Sequence, residues 1–181
     1  LMGAVSFPAM IWLMLRGELP TKAQADLLGV ALMTSVDHGP QAPSIAIARI
    51  ASTCGVGINN AMGSAANVLG DVHGGAVEQC VALYYAIAGR VDGGEALEAA
   101  IEAELDALAA EGVRYVPGFG HRFHHLDPRA PRAMQLIRAA AEKGTVSGRF
   151  ADIAEGVEKV VASRKGKTIP LNVDGAMGAI Y

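Results

Sequence analysis

The sequence predicts an all-α fold, and three observations support this. Apolar residues make up 51% of the 181 residues but aromatic residues only 5%, so the core is built from small and aliphatic side chains. The 22 glycines and the many alanines allow helices to approach one another closely. Strand signals are poor, since only Val113–Val116 and Thr168–Val173 could be extended. A chain of this length can form one domain with a sizeable core.

The first half of the chain is predicted to be a series of helices. Thr21 and Gln24 have the spacing of a capping box, and Ala23, Leu27 and Val30 continue one apolar face behind it. Three further segments are almost entirely apolar, which is typical of helices buried on most sides. These segments are Ser44–Thr53, Ala61–Leu69 and Ala76–Ala88.

The next helix is predicted over Glu95–Glu111 and differs in character. One stripe is apolar and the opposite side is acidic, so this helix lies at the surface, and Gly112 ends it. The stripe consists of Leu97, Ile101, Leu105 and Leu108.

Two helices follow in the last third of the chain. Pro131 suits the first turn of a helix that runs to about Lys143 and stops at Gly144. Phe150–Ser163 has a weaker helical pattern, which we expect Gly156 to interrupt because glycine is a poor helix former.

Composition excludes several classes of function. The net charge is −3 and no basic run is present, so we expect no nucleic-acid partner. The most apolar stretch, Val5–Leu15, contains Pro8 and is too short to span a bilayer, so we expect no membrane insertion. Cys54 and Cys80 are isolated, which indicates two free thiols in a cytoplasmic protein.

Two histidines lie in glycine-rich segments that favour a role as neutral donors. His73 begins the run HGGA, just before a helix predicted from about Ala76, and the potential of a helix N-terminus disfavours imidazolium. A neutral His73 could donate an N–H to an enolate oxygen; the alternative is a loop histidine capped by backbone. His121 lies in PGFGHRFHHLDPRAPR, a segment that also carries Arg122, Asp127 and Arg129.

Three more residues complete the set of candidates. Arg129 could hold a carboxylate in bidentate fashion, or could be a surface arginine at a helix start. His38 follows Asp37, which could fix the imidazole tautomer or cap the turn. Asp174 precedes Gly175 in NVDG and could be a general base, or could cap a helix starting at Gly175.

Other chemistries find little support. No G-x-S-x-G elbow, P-loop or G-x-G-x-x-G fingerprint is present. His121, His124, His125 and Asp127 could place ligands in one loop, but no second ligand cluster accompanies them. We therefore expect no metal, with His124 and His125 exposed or at the rim of a substrate site.

The motifs LRGELPT, DHG, HGGA, PGFGHR with DPRA, and NVDG occur here in the order found in the citrate synthase superfamily. The chain resembles that family over most of its length. The resemblance implies a multi-helical, dimeric fold with a large and a smaller helical domain. Residues 1–181 would form one citrate synthase-like domain, incomplete at both ends, with about 75–165 contributing to the smaller domain.

The resemblance also implies roles for single residues. His73 matches the histidine that binds the acetyl-CoA thioester oxygen, and Asp174 matches the base that removes the methyl proton. His121 matches the histidine that polarises the oxaloacetate ketone. His38 and Arg129 match groups that hold the oxoacid. The coenzyme A thioester is a substrate in this scheme, and no tightly bound cofactor is expected.

Two departures from synthases bear on the activity. His38 is followed by Gly39-Pro40, where synthases tend to have Glu and an Asn-Ala-Ser run, and this form resembles the citryl-CoA lyases and the citryl-CoA-cleaving part of ATP-citrate lyase. The chain ends at Tyr181, before the segment that supplies further substrate arginines in the family. We expect a citryl-CoA lyase; citrate synthase, 2-methylcitrate synthase and an inactive subunit that binds a CoA thioester or polycarboxylate are the alternatives. A basic cluster, Arg164, Lys165 and Lys167, could anchor the CoA phosphates or be a solvated turn.

Overall fold

A computed structural model describes residues 1–121 and 124–181, so Arg122 lies outside the described residues. Regular structure in these ranges is entirely helical, which confirms the predicted fold class, and only isolated β-bridges accompany the helices. In the described ranges the helices are α1 (Phe7–Arg16), α2 (Lys22–Thr34), α3 (Pro43–Thr53), α4 (Ile58–Ala66), α5 (Ala76–Asp92), α6 (Leu97–Ala110), α7 (Arg129–Glu142), α8 (Arg149–Lys165) and α9 (Val173–Gly178).

The chain divides into two compact units. Unit 1 consists of Leu1–Thr34 and Val77–Tyr181, and unit 2 consists of Ser35–Ala76. Helices α3 and α4 form unit 2, and the other helices belong to unit 1 except for the first residue of α5. The contribution of about 75–165 to a smaller domain stays a prediction.

The predicted capping box forms at the start of α2. The backbone N–H of Thr21 donates to Oε1 of Gln24 over 2.9 Å, and the N–H of Gln24 donates to Oγ1 of Thr21 over 3.2 Å. Two donors that the helix itself leaves unsatisfied are thereby paired.

The core of unit 1 is aliphatic, as the composition predicts. Its fully buried side chains include Ile87 on α5, Ile101 on α6, Ile137 on α7 and Val157 on α8. The predicted stripe of α6 is confirmed, because Ile101 and Leu105 are buried and Leu97 and Leu108 pack against the same cluster.

The predicted interruption of α8 at Gly156 is wrong. The helix is continuous over Arg149–Lys165, and a Cβ at Gly156 would lie 2.7 Å from Cδ1 of Ile101. The glycine therefore allows α6 to pack closely on α8, and this packing outweighs its low helix propensity.

The predicted burial of the apolar helices holds for α5 but not for unit 2. Helix α5 buries five side chains, Tyr84 and Ile87 among them. Helix α3 buries none and α4 buries only Ala61, while Ile58 on α4 is 79% exposed. The physical reason is that the two short helices cover only one face of each other within the unit.

No helix in the described ranges is both long enough and apolar enough to cross a membrane.

Candidate active-site residues

Asp174 lies in the first turn of α9, which begins at Val173. The side-chain oxygen of Asn172 accepts the N–H groups of Asp174 over 2.9 Å and of Gly175 over 3.1 Å. Asn172 is therefore the N-cap, and the alternative that Asp174 caps a helix from Gly175 is wrong. The Asp174 carboxyl group is half-buried and lies within electrostatic range of His121 and Cys80.

The loop before His121 packs directly on α9. The N–H of Asn172 donates to the carbonyl of Gly118 over 3.0 Å, and Nδ2 of Asn172 donates to the carbonyl of Gly120 over 2.8 Å. Gly118 has φ +85°, and a Cβ there would lie 2.7 Å from both Sγ of Cys80 and Cα of Gly175. The glycines of PGFG thus allow the loop to pack against the helix that carries Asp174.

His121 is exposed, and its ring has a defined tautomer. The backbone N–H of His124 donates to Nδ1 of His121 over 3.1 Å, so the neutral ring carries its proton on Nε2. Desolvation of the ring lowers the pKa of His121; His124 and Arg129 add to this effect, whereas Asp127 and Asp174 oppose it. The lowered pKa favours the neutral ring, which has an Nε2–H donor.

Arg129 begins α7 and faces Asp127. Its Nε donates to Oδ1 of Asp127 and its Nη2 donates to Oδ2, each over 3.0 Å, while Nη1 donates to the carbonyl of Thr34 over 3.1 Å. Burial alone raises the pKa of Asp127, but hydrogen bonds from Arg129 and Val173 outweigh it and lower that pKa. The guanidinium predicted to bind a substrate carboxylate is thus oriented by a carboxylate of the protein.

His73 belongs to unit 2 and contacts the start of α3. Its Nε2 accepts the backbone N–H of Ser44 over 3.2 Å and lies 3.0 Å from Oγ of the same residue. Because Nε2 accepts, the neutral ring carries its proton on Nδ1, which is the donor that the predicted role requires.

The glycines that follow His73 are required by the turn around it. Gly70 and His73 exchange backbone hydrogen bonds of 2.8 and 3.1 Å, and the N–H of Gly75 donates to the carbonyl of Gly70. Gly74 has φ +100°, and a Cβ at Gly75 would lie 2.8 Å from Cα of Asp71. Helix α5 begins at Ala76, as predicted.

His38 is exposed in the turn before α3. Oδ1 of Asp37 accepts the N–H of Gly39 over 2.8 Å, and Gly39 has φ +77°. Of the two roles considered for Asp37, this geometry matches the turn cap.

The basic cluster lies at the end of α8. Arg164 forms ion pairs with Glu102 and Asp106 of α6, with Nη1 lying 2.8 Å from Oδ1 of Asp106. Lys165 and Lys167 are exposed. His124 and His125 are also exposed, and the described ranges contain no group of three or more His, Cys, Asp or Glu side chains able to hold a metal ion.

Among the contacts that sequence reasoning missed, two differ in whether the sequence carries a signal for them. The capping role of Asn172 has a recognisable signal, since asparagine is among the preferred N-caps and stands one residue before α9. The contact of Ser44 with His73 has none, because 29 residues separate the two in the chain.

Comparison with known proteins identifies the family. Residues 3–181 match the family described as Citrate synthase, C-terminal domain. The chain belongs to the citrate synthase family. The citrate synthase of Deinococcus radiodurans is 34% identical over 171 residues, an alignment covering 93% of this chain and 42% of that protein. The chain thus spans less than half the length of this curated relative.

Solved structures of other proteins share this fold. Citryl-CoA lyase from Hydrogenobacter thermophilus has a TM-score of 0.81 and 32% identity, covering 99% of this chain and 66% of that chain. An ATP citrate lyase from Methanothrix soehngenii, solved in complex with citrate and coenzyme A, has a TM-score of 0.77 and 24% identity over 96% of this chain and 27% of its own. The resemblance inferred from the motifs is therefore confirmed at the level of family and fold.

Proposed function

We propose that this protein makes or breaks the C–C bond of citryl-CoA, interconverting it with oxaloacetate and acetyl-CoA, and that it belongs with the citryl-CoA lyases. His73 holds the thioester oxygen of the enol, and Asp174 exchanges the methyl proton. His121 binds the ketone or hydroxyl oxygen of the oxoacid portion. Arg129 and His38 hold the carboxylates.

The observation that best supports this proposal is the pair of defined histidine tautomers. His73 accepts at Nε2 and His121 accepts at Nδ1, so the neutral form of each ring has one defined N–H donor. The C–H of acetyl-CoA is weakly acidic, and enol formation needs a preorganised donor at the oxygen together with a nearby base. Removing one such donor from an enzyme costs about 3–4 kcal/mol of transition-state stabilisation.

Cleavage and synthesis share one transition state, so His121 contacts the same oxygen atom of the oxoacid in both directions. The segment His38-Gly39-Pro40 supports the lyase. The 34% identity with the citrate synthase of Deinococcus radiodurans supports citrate synthase or 2-methylcitrate synthase as the second candidate.

The coenzyme A thioester is proposed as a substrate, and no tightly bound cofactor is invoked. Arg164, Lys165 and Lys167 are proposed to hold the CoA phosphates. A phosphate would compete with Glu102 and Asp106 for Arg164 at an exposed position, where ion pairs contribute little, about 0–1 kcal/mol.

We also propose that the active form is a homodimer in the cytoplasm. Unit 2 leaves apolar side chains exposed, with Ile50 on α3 at 60% and Met62 on α4 at 65%, and a second copy could cover them. The two free thiols agree with a reducing compartment. Analytical ultracentrifugation of the native protein would give the mass of a dimer.

The deciding experiment measures keto-acid formation and thiol release by the native protein. Oxaloacetate formed from citryl-CoA, with no free CoA released from oxaloacetate plus acetyl-CoA, would establish the lyase. Free CoA released only when both acetyl-CoA and oxaloacetate are present would establish a synthase. If no reaction occurs with these or related acyl-CoA and oxoacid pairs, the protein is the inactive binding subunit considered above.

A further inference from the structure

Asp127 is the one buried charged side chain among the described residues, with 1% of its surface exposed. A buried carboxylate is tolerated only where donors surround it. Four donors do so here: Nε, Nη2 and the backbone N–H of Arg129, and the backbone N–H of Val173.

These donors come from two separate parts of the chain. The Arg129 groups belong to the start of α7, and the Val173 N–H belongs to the first residue of α9, immediately before Asp174. Oδ2 of Asp127 receives both Nη2 of Arg129 over 3.0 Å and the Val173 N–H over 3.1 Å. One oxygen atom therefore contacts both the guanidinium and the helix that carries the carboxyl group of Asp174.

We propose that Asp127 is a positioning residue that holds Arg129 and Asp174 in a fixed spatial relationship, a role that rests on the proposed function of those two residues. The two N–H groups after Val173 are already held by Asn172, so Asp127 and Asn172 together fix the first turn of α9. The contact to Val173 uses its main chain and is independent of its side chain. Asp127 itself is buried and touches no substrate in this scheme.

The first test substitutes Asp127→Asn, which keeps the size but replaces one acceptor oxygen by a donor. Nδ2 of the amide accepts no hydrogen bond, so the two donors that contact the replaced oxygen lose their acceptor. We expect the KM for oxaloacetate to rise at least about 10-fold and kcat to fall by a similar factor, because binding group and base are both displaced.

A general loss of folding stability in Asp127→Asn must be distinguished from displacement of Arg129 and Asp174. Val157→Ala shortens a fully buried, apolar core side chain of α8 that takes no part in the hydrogen bonds of Asp127, and serves as the destabilised control. We expect this control to keep KM and kcat within twofold of wild type when rates are expressed per folded enzyme. Asp127→Asn behaving like the control would overturn the proposal.

A double-mutant cycle tests whether Asp127 acts through Arg129. If it does, Asp127→Asn in an Arg129→Gln background should add less than about threefold to the rise in KM for oxaloacetate. Independent, multiplicative effects of the two substitutions on KM would contradict the proposed route.

Amide hydrogen exchange gives a readout that is independent of catalysis. Asp127→Asn should accelerate exchange of the Val173 amide at least about 10-fold relative to core amides of α8, whereas Val157→Ala should not change this ratio. An inactive wild-type protein would refute the proposed function, and the ratio would still decide the coupling. An unchanged ratio in Asp127→Asn would overturn the inference whatever the activity.

Discussion

Gly118 and Gly175 meet backbone to backbone, so closely that a Cβ on Gly118 would lie 2.7 Å from Cα of its partner. The contact joins the loop that carries His121 to the helix that carries Asp174. Neither glycine can gain a side chain without separating these two elements.

We therefore expect Gly118→Ala to lower the free energy of unfolding by about 3 kcal/mol, from the strain at positive φ plus overpacking. The matched control is Gly112→Ala, because Gly112 has a similar φ of +81° but no atom within 4 Å of its added Cβ. The control should lose only about 1 kcal/mol. Urea unfolding of both variants measures the difference, and equal losses would show that crowding is not the cause.

Replacing His73, the proposed N–H donor to the enol oxygen, should slow the chemical step. His73→Ala should lower kcat by about 100- to 1,000-fold, because the enol oxygen loses a preorganised N–H, while the KM for the CoA thioester changes little. His125→Ala, at an exposed histidine, should stay within twofold of wild type. Steady-state kinetics in either direction test this, and a kcat near the wild-type value for His73→Ala would refute the assigned role.

Asp174→Ala separates an enzyme from an inactive binding subunit. The base takes part in proton transfer rather than in holding the ligand, so turnover should fall by at least about 100-fold. Calorimetric binding of a CoA thioester should remain within a few fold of wild type. Unchanged turnover of citryl-CoA would exclude Asp174 as the base.

The role of Arg164 in CoA binding can be compared with that of Arg138, since each guanidinium pairs with two carboxylates on a neighbouring helix. Arg164→Ala should raise the KM for the CoA thioester about tenfold, equivalent to about 1.4 kcal/mol, through the lost phosphate contact. Arg138→Ala should leave this KM unchanged. A similar effect of both variants would indicate a structural cause.

Protonation of Asp127 at acidic pH should lower the free energy of unfolding. Its folded-state pKa lies below the ordinary value of 3.8, so its contribution to stability is present above that value and is lost as the pH falls through the folded-state pKa. Removing one partner of a buried pair costs about 3–5 kcal/mol, so Asp127→Asn should be less stable at pH 6. The gap between the urea midpoints of wild type and variant should be the same at pH 6 and pH 5 and should narrow as the pH falls below 3.8, and a gap that stays constant in acid would contradict the expectation.

Much of the fold could be predicted because local signals specify helix ends. The Thr21–Gln24 capping box and the apolar stripe of α6 both form as the sequence indicates. The low helix propensity of Gly156 wrongly predicted a break in α8, because the residue that packs against it, Ile101, belongs to another helix. The burial of α3 and α4 was also mispredicted, because it depends on which other elements cover these helices and not on their composition. Ala61 is the one buried residue of α4.

The candidate site could be predicted in part for a related reason. His121 and Asp174 could be recognised from short motifs, because residues close to them in the chain fix their local geometry. These neighbours are His124 for His121 and Asn172 for Asp174. Nothing in the sequence indicates that Asp127 reaches the N–H of Val173, because that contact joins residues 46 apart.

The contact between Ser44 and His73 should survive most substitutions at position 44. One of the two contacts to Nε2 of His73 comes from the backbone N–H of Ser44. Every amino acid except proline would retain this N–H at position 44. Mutation of the Ser44 side chain can remove its hydroxyl but leaves this N–H in place to keep the ring proton on Nδ1. The main chain therefore maintains the tautomer of His73. A relative with another residue in place of Ser44 would keep the Nδ1–H donor of the histidine.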